Sequence, residues 1–268
     1  KGGGKRLKNA EISAAIRDKD LAWVHLHAGN PSARNWLEKE LAYLDHIIID
    51  ALLANETRPR VVEFQEGALL ILRGVNLNEN AEPEDMISVR LWIDQHRIIS
   101  VRLRQLKAVG DVAKRLENGE GPKNAGEFTA MLSSCLFARM EPVLLTLDEQ
   151  LDDAEEAVID DPDIRHHKAI TGIRKRAIIL RRYIAPQRDA IAALRSSSLR
   201  WLDQTHRRGL QESSDRLMRY VEDLDTIRER AQIVKDELTT VLSDKMNKNL
   251  YMLSVIAAVF LPLGFLTG

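Results

Sequence analysis

The sequence predicts an α+β protein, with an N-terminal α/β domain whose sheet is mostly antiparallel, then a helical hairpin and one very long helix. Three observations support this class. Short β-rich stretches cluster in the first hundred residues, the strong signals after Leu106 are helical, and the chain finishes on an apolar run. With 268 residues and 44% hydrophobic content, the chain is long and apolar enough to bury a substantial core.

Composition restricts the possible functions. The 39 basic and 40 acidic residues nearly cancel, so no overall field favours nucleic acid as a partner. The single cysteine, Cys135, excludes an internal disulfide framework and a thiolate cluster for zinc. The sequence contains no phosphate-binding loop, no Gly-x-Ser-x-Gly elbow and no His-Glu-x-x-His motif, so we expect neither an enzyme nor an organic cofactor.

The first predicted domain, residues 1–110, alternates strand-like and helix-like segments. The segment LAWVHLHA has the alternation of a strand and places His25 and His27 on one side, where they could chelate a metal or pack against a helix. A helix follows, with Asn30 as its N-cap and Pro31 in its first position. Three further β-rich stretches, PRVVEFQEG, ALLILRGVN and ISVRLWIDQHRIISVRLR, lie near one another in sequence, which favours short hairpins.

The second predicted part, residues 111–205, contains an acidic and a basic helix. Glu141–Asp163 contains ten Asp or Glu and no Lys or Arg, whereas Arg165–Arg188 contains eight Lys or Arg and no Asp or Glu. Pro162 should end the first helix, and Asp163 should cap the second. We therefore expect an antiparallel hairpin whose acidic arm pairs with its basic arm or holds hydrated divalent cations.

The third predicted part, residues 206–249, is a stalk whose long helix should begin near Ser213, after Gly209, and continue into the apolar end of the chain. One of its faces is apolar at spacings of three and four, as in a helix that packs against neighbours. This apolar stripe comprises Leu217, Val221, Leu224, Ile227, Ala231, Val234, Leu238 and Val241.

A second face of the stalk begins about 200° round the helix from Val234 and repeats every 3.5 residues. This repeat keeps one face turned toward the axis of a coiling bundle, so the face could line a pore. Alternatively, its polar part is a solvated surface and its apolar part contacts lipid or a neighbour. The predicted pore-lining residues are Asp236, Thr240, Ser243, Asn247, Leu250, Ala257, Leu261 and Gly264, and Ser254 and Gly268 continue the series.

The last predicted part, residues 250–268, carries no charged residue and approaches the roughly twenty residues that cross a membrane. Lys245 and Lys248 precede it, as basic residues do on the cytoplasmic flank of a membrane helix. We therefore expect the residues before about 249 to be cytoplasmic. Pro262 is compatible with a membrane helix when neighbouring groups satisfy the released carbonyl.

Candidate zinc ligands are concentrated in the segment DDPDIRHH, between the two charged helices. Zinc accepts imidazole nitrogen and carboxylate oxygen. Adjacent histidines point about 100° apart on a helix, so at most one should share a site with Asp163. The alternative is a polar corner whose carboxylate only caps a helix. The candidate ligands are Asp160, Asp161, Asp163, His166 and His167.

Four stretches together resemble the CorA family of divalent-metal transporters, in its zinc-transport branch. They are MLSVIAAVFLPLGFLTG at the end, RRYIAPQRD, ETRPRV, and GGGKRL near the start. The resemblance covers nearly the whole chain in the same order. It implies a homopentamer in the inner membrane of a bacterium, with a cytoplasmic funnel and with divalent cations, Zn2+ in this branch, passing along the stalk axis.

The resemblance also favours the pore interpretation of the stalk face. Asp236 would meet ions in the stalk, Asn247 would stand near the membrane boundary, and Leu250, Ala257 and Leu261 would form narrow apolar rings. Such rings can gate by dewetting, while polar rings replace part of an ion's hydration shell.

A Gly-x-Asn loop and a second membrane helix are further features of the family. The given sequence stops before them, so we expect it to be the cytoplasmic funnel with a truncated first membrane helix. Gly264 stands where magnesium-carrying relatives often have a hydroxyl. The rival interpretation is a membrane-anchored scaffold or signalling domain, which would not explain why the 3.5-residue face continues in register into the apolar segment.

Overall fold

The computed structural model describes residues 2–8, 10–55 and 57–267, and this part of the chain contains five strands and eight helices. The strands are β1 (Ala22–His27), β2 (Arg60–Glu63), β3 (Gly67–Gly74), β4 (Ile87–Asp94) and β5 (Arg97–Arg102). The helices are α1 (Ala10–Arg17), α2 (Pro31–Glu40), α3 (His46–Leu53), α4 (Lys107–Glu117), α5 (Ala125–Ala138), α6 (Glu141–Asp160), α7 (Ile164–Ser196) and α8 (Gln204–Thr267). The predicted α+β class is confirmed.

One sheet joins the five strands in the order β1-β5-β4-β3-β2. The pairs β2–β3, β3–β4 and β4–β5 are antiparallel, while β1 joins β5 in parallel. In the tight turn between β4 and β5, one carboxylate oxygen of Asp94 accepts the backbone N–H groups of His96 and Arg97 at 3.0 and 2.8 Å. The mostly antiparallel sheet expected from neighbouring β-rich stretches is therefore confirmed.

Helices cover the sheet on both faces. On one face, Trp92 of β4 belongs to a buried cluster with Leu37 of α2 and Leu52 of α3. On the other face, the Trp23 ring of β1 meets the Phe128 ring of α5 edge-on, with 4.9 Å between the ring centroids. Burial on both faces explains why β3 and β4 are apolar along most of their length instead of alternating.

The predicted helix caps of α2 and α7 are present. Asn30 precedes α2 in an extended conformation, and its side chain accepts the backbone N–H of Ser32 at 3.0 Å. Asp163 stands before α7 and accepts the backbone N–H of Arg165 at 2.8 Å, while α6 ends at Asp160, before Pro162. Each cap satisfies an N–H group that has no partner within its helix.

The long helix α8 begins at Gln204, so the predicted start near Ser213 is wrong. A reciprocal cap fixes the true start, because Asp203 accepts the backbone N–H of His206 at 2.9 Å and donates its own N–H to the His206 ring at 3.2 Å. Gly209 lies inside the helix, although glycine costs about 1 kcal/mol there relative to alanine. An added Cβ at Gly209 would lie 3.4 Å from the nearest side chain of α5, so the position is close to a neighbouring helix.

The chain forms two compact units. The first comprises Lys1–Leu144 and Ile179–Asp223 and contains the sheet; the second comprises Leu145–Ile178 and Leu224–Gly268 and is helical. Helices α6, α7 and α8 therefore contribute residues to both. The four-part division of the chain at 110, 205 and 249 stays a prediction.

Candidate ion path and metal corner

One face of α8 is buried within the helical unit. Leu224, Ile227, Ala231, Val234 and Leu238 expose 2% or less of their surface, while Val241 is partly exposed. Apolar residues of α6 and α7 are also buried in this unit: Leu147, Leu151, Ala154, Val158, Ile170, Ile173 and Ala177. The apolar stripe predicted for α8 is thus confirmed as a buried face, and α6 and α7 bury apolar faces of their own in the same unit.

Arg230 joins α8 to the acidic helix α6, and sequence analysis did not single it out. Its guanidinium lies 3.2 Å from the Asp148 carboxylate, 2.6 Å from that of Asp152 and 2.8 Å from that of Glu155. Hydrogen bonds to Asp152 and then Glu155 raise the pKa of Arg230 above its usual range. The sequence predicts that these acids face the basic arm, but three of them pair with Arg230 of α8 instead. Their spacing of four and three, which places them on one face of α6, was the available signal.

The eight predicted pore-lining residues are all exposed in the single subunit. Asp236, Thr240, Ser243 and Asn247 lie on average roughly 170° round α8 from the centre of its buried stripe, as a turn of about 100° per residue places them. The face is therefore directed away from α6 and α7. Gly268, which continues the series, lies outside the described residues.

Hydroxyl groups on this face donate their hydrogens inward. Thr240, Ser243 and Ser254 each donate to the backbone carbonyl four residues earlier on α8, at 2.8–3.0 Å. The lone pairs of their oxygen atoms remain available to accept a hydrogen bond from water or to contact a cation. One carboxylate oxygen of Asp236 accepts a hydrogen bond from Gln232 at 2.8 Å, which leaves a second oxygen for ions. The exposed face of α8 therefore presents oxygen atoms that can contact water or a cation.

Two helical stretches of the described chain have the length and composition to cross a membrane, Ala125–Asp160 and Gln204–Phe265. In the first, 39% of the apolar window is buried within the protein, as in a core helix; in the second, none is. Pro262 lies inside α8, a position that a membrane helix tolerates when neighbouring groups satisfy the released carbonyl. The end of α8 is thus the stretch whose apolar surface the subunit leaves uncovered.

The predicted metal corner links α6 to α7. The Asp163 carboxylate caps α7 and also pairs with the Arg165 guanidinium at 3.0 Å, and this pairing lowers the pKa of Asp163. His166 places its Nε2 3.1 Å from the Asp161 carbonyl. Lys245 of α8 donates to the Pro162 carbonyl at 3.2 Å.

These contacts do not assemble the five predicted ligands. Asp160 ends α6, whereas His166 and His167 follow on the first turn of α7. Among the residues that the structure describes, no three His, Cys, Asp or Glu side chains are grouped to hold a metal ion. A zinc ion at this corner would compete with Arg165 for Asp163, and the site stays a prediction.

The two histidines of β1 have separate partners. The His25 ring places Nδ1 2.7 Å from the Ser100 hydroxyl, and His27 places Nε2 2.9 Å from the Leu103 carbonyl. Burial, followed by the charges of Arg102 and His27, lowers the pKa of His25 to about 4. Separate partners do not favour shared chelation, and the half-buried His25 fits the packing interpretation, whereas His27 is exposed.

Comparisons with known proteins place these features in a family context. The model of the family described as CorA-like Mg2+ transporter protein matches residues 18–268. The divalent cation transporter CmaX of Pseudomonas aeruginosa is 39% identical over 274 residues, which cover 100% of this chain and 81% of CmaX. The zinc transport protein ZntB of Pectobacterium atrosepticum is 36% identical over 253 residues, which cover 94% of this chain and 77% of ZntB.

Solved structures of CmaX, ZntB and CorA are also similar to this chain. The full-length CmaX structure matches with a TM-score of 0.90 and 39% identity, over 100% of this chain and 82% of that one. The ZntB cytoplasmic domain from Vibrio parahaemolyticus matches with a TM-score of 0.75 and 26% identity, over 85% and 91%. The CorA magnesium transporter from Methanocaldococcus jannaschii, at 17% identity and a TM-score of 0.77 over 90% and 76%, shares the fold.

Proposed function

Because the chain belongs to the CorA-like family of metal-ion transporters, we propose that it forms the cytoplasmic funnel and first membrane helix of a homopentameric divalent-cation transporter. The relatives named above are transporters, and this chain is not an enzyme. The observation that carries the proposal is the exposed face of α8, which continues in one register from Asp236 into the apolar segment.

In this proposal, five copies of α8 surround the path, and each turns the same face toward it. Five Asp236 carboxylates attract divalent cations to the stalk. Thr240, Ser243 and Asn247 then offer oxygen atoms that replace part of the hydration shell. Above them, rings of Leu250, Ala257 and Leu261 form apolar constrictions that can gate by dewetting, and Gly264 leaves space between the helices.

Zinc is the proposed transported ion. Similarity to zinc transport proteins supports this choice, while CmaX is named only for divalent cations. The oxygen atoms of the α8 face are hard ligands that suit several divalent cations, so they do not select zinc by themselves. We further propose an inner-membrane location, with the residues before about 249 in the cytoplasm because Lys245 and Lys248 flank the apolar segment.

Replacing Asp236→Asn in the full-length protein should test the path. We expect about a tenfold loss of zinc uptake into proteoliposomes at low zinc, equivalent to about 1.4 kcal/mol of ion binding. The control is Glu237→Gln, because Glu237 is also exposed but points about 100° away from Asp236. Equal losses in both variants would contradict the assigned face, and wild-type protein without zinc uptake would favour the scaffold interpretation.

A further inference from the structure

One aliphatic side chain on the cytoplasmic part of α8 is exposed without an explanation in the subunit. Ile233 exposes 65% of its surface, whereas the adjacent Val234 exposes 2%. Before Met246, Met218 is the other large apolar side chain that is clearly exposed in the described part of α8, at 45%. A single exposed isoleucine is common on protein surfaces, so its position on the helix has to decide its role.

The position of Ile233 matches the proposed pore face. It lies seven residues before Thr240 and fourteen before Asn247, so a 3.5-residue repeat places the three on one line. Glu229 and Asp236, four residues before it and three after it, lie on the same face. Ile233 therefore continues the 3.5-residue series of the path face three residues before Asp236, on its cytoplasmic side.

We propose that five Ile233 side chains form an apolar ring around the ion path on the cytoplasmic side of Asp236. This inference rests on the proposed pentamer. Assembly would remove the exposed side chains from water, which is favourable for an apolar group. The ring would separate two carboxylate rings, Glu229 below and Asp236 above.

Such a ring limits the rate of ion passage. The carboxylates attract cations to both sides, but an apolar constriction supplies no oxygen atom to replace the water that a cation must shed. Glu229 remains exposed while it pairs with Arg228 of its own helix at 3.3 Å. The structure thus assigns Ile233 a barrier role between two attractive rings.

Disulfide cross-linking tests the location of Ile233. In a Cys135→Ser background, which removes the one cysteine of the given sequence, Ile233→Cys should form disulfide-linked dimers on mild oxidation of the full-length protein in membranes. Thr240→Cys, on the proposed path face, should do the same. Ile159→Cys is the matched control, because Ile159 exposes 67% of its surface but belongs to α6, from which the proposed path face of α8 is directed away. We expect no dimer there.

The outcomes separate the two proposals. Cross-linking at Thr240→Cys without cross-linking at Ile233→Cys would overturn the Ile233 ring and leave the path intact. Failure at both positions would overturn the pentameric path as well. Equal cross-linking at Ile159→Cys would show random collision, which also contradicts the ring.

Transport tests the barrier. Ile233→Asn replaces the apolar ring with amide groups of similar size, so zinc uptake into proteoliposomes should rise several-fold. The same substitution at Ile159, equally exposed on α6, should leave uptake unchanged. Unchanged or reduced uptake in properly assembled Ile233→Asn protein would overturn the proposed barrier.

Discussion

His25 couples the stability of the sheet-containing unit to pH. Its folded pKa is lowered from 6.5 to about 4, first by burial and then by Arg102 and His27. Above about pH 6.5 the ring is neutral in both the folded and the unfolded chain, and it does not affect stability. As the pH falls below 6.5 the unfolded chain takes up a proton first, so the folded state loses stability until the pH reaches about 4.

Replacing His25→Gln should remove this pH dependence. Between pH 7 and 4, the wild-type chain should lose up to about 3 kcal/mol of unfolding free energy more than the variant. Urea unfolding followed by tryptophan fluorescence at several pH values measures the difference. His46→Gln, at a side chain that is 85% exposed, is the control and should follow the wild type. Parallel curves for wild type and His25→Gln would contradict the assignment.

Single residues differ in how well the sequence predicts their roles. Asn30 and Asp163 were identifiable as caps because each acts on backbone groups two residues away. His206 was not, because imidazole is an unusual partner in a capping interaction and its role depends on ring geometry. At the metal corner, residue types that can bind zinc lie close together in sequence, but the structure does not group them. Asp163 instead accepts from the N-terminus of α7 and pairs with Arg165.

At the scale of elements, Arg230 is the polar link between α6 and α8. Its three carboxylate partners are Asp148, Asp152 and Glu155, all substantially exposed. Solvent screens such pairs, so each contributes modestly. Removing the guanidinium, however, also leaves three negative charges close together on one face of α6.

We expect Arg230→Gln to lower the unfolding free energy by about 1 to 2 kcal/mol at low salt. The loss should shrink near 1 M salt, where the screening length is about 3 Å. Thermal unfolding at two ionic strengths measures both effects. Lys175→Gln, which removes one exposed charge from α7, should change stability little. A loss for Arg230→Gln that is independent of salt would contradict the electrostatic account.

Periodicity predicted the faces of α8 better than its ends. The spacing of three and four identified the buried stripe through Leu238, because packing of an amphipathic helix repeats with the helical turn. The start was misplaced because Gly209 has a local cost that tertiary packing overrides. Charge counts along α6 and α7 predict pairing between these two helices, but Arg230 of α8 pairs with the acids. The spacing of the acids places them on one face of α6, whereas the sequence does not say which helix packs against that face.

At the scale of the whole molecule, the single subunit leaves the proposed path face and the apolar end of α8 uncovered. From Ser243 to Phe265, every residue of α8 is exposed, including large apolar side chains such as Leu261 and Phe260. An apolar surface of this length requires lipid, further chain or other copies to cover it. The sequence predicts the fold class from its pattern of elements and the family from its resemblance, but the number of chains in a ring belongs to the assembly, and a 3.5-residue repeat in one chain does not specify it.

The subunit count tests the central claim most directly, because a path formed by one face of each α8 exists only in a closed ring. Native mass spectrometry of the full-length protein released from detergent micelles or lipid nanodiscs should show a single assembly of five copies, stable over a range of protein concentrations. A monomer at every concentration would contradict the proposed ion path.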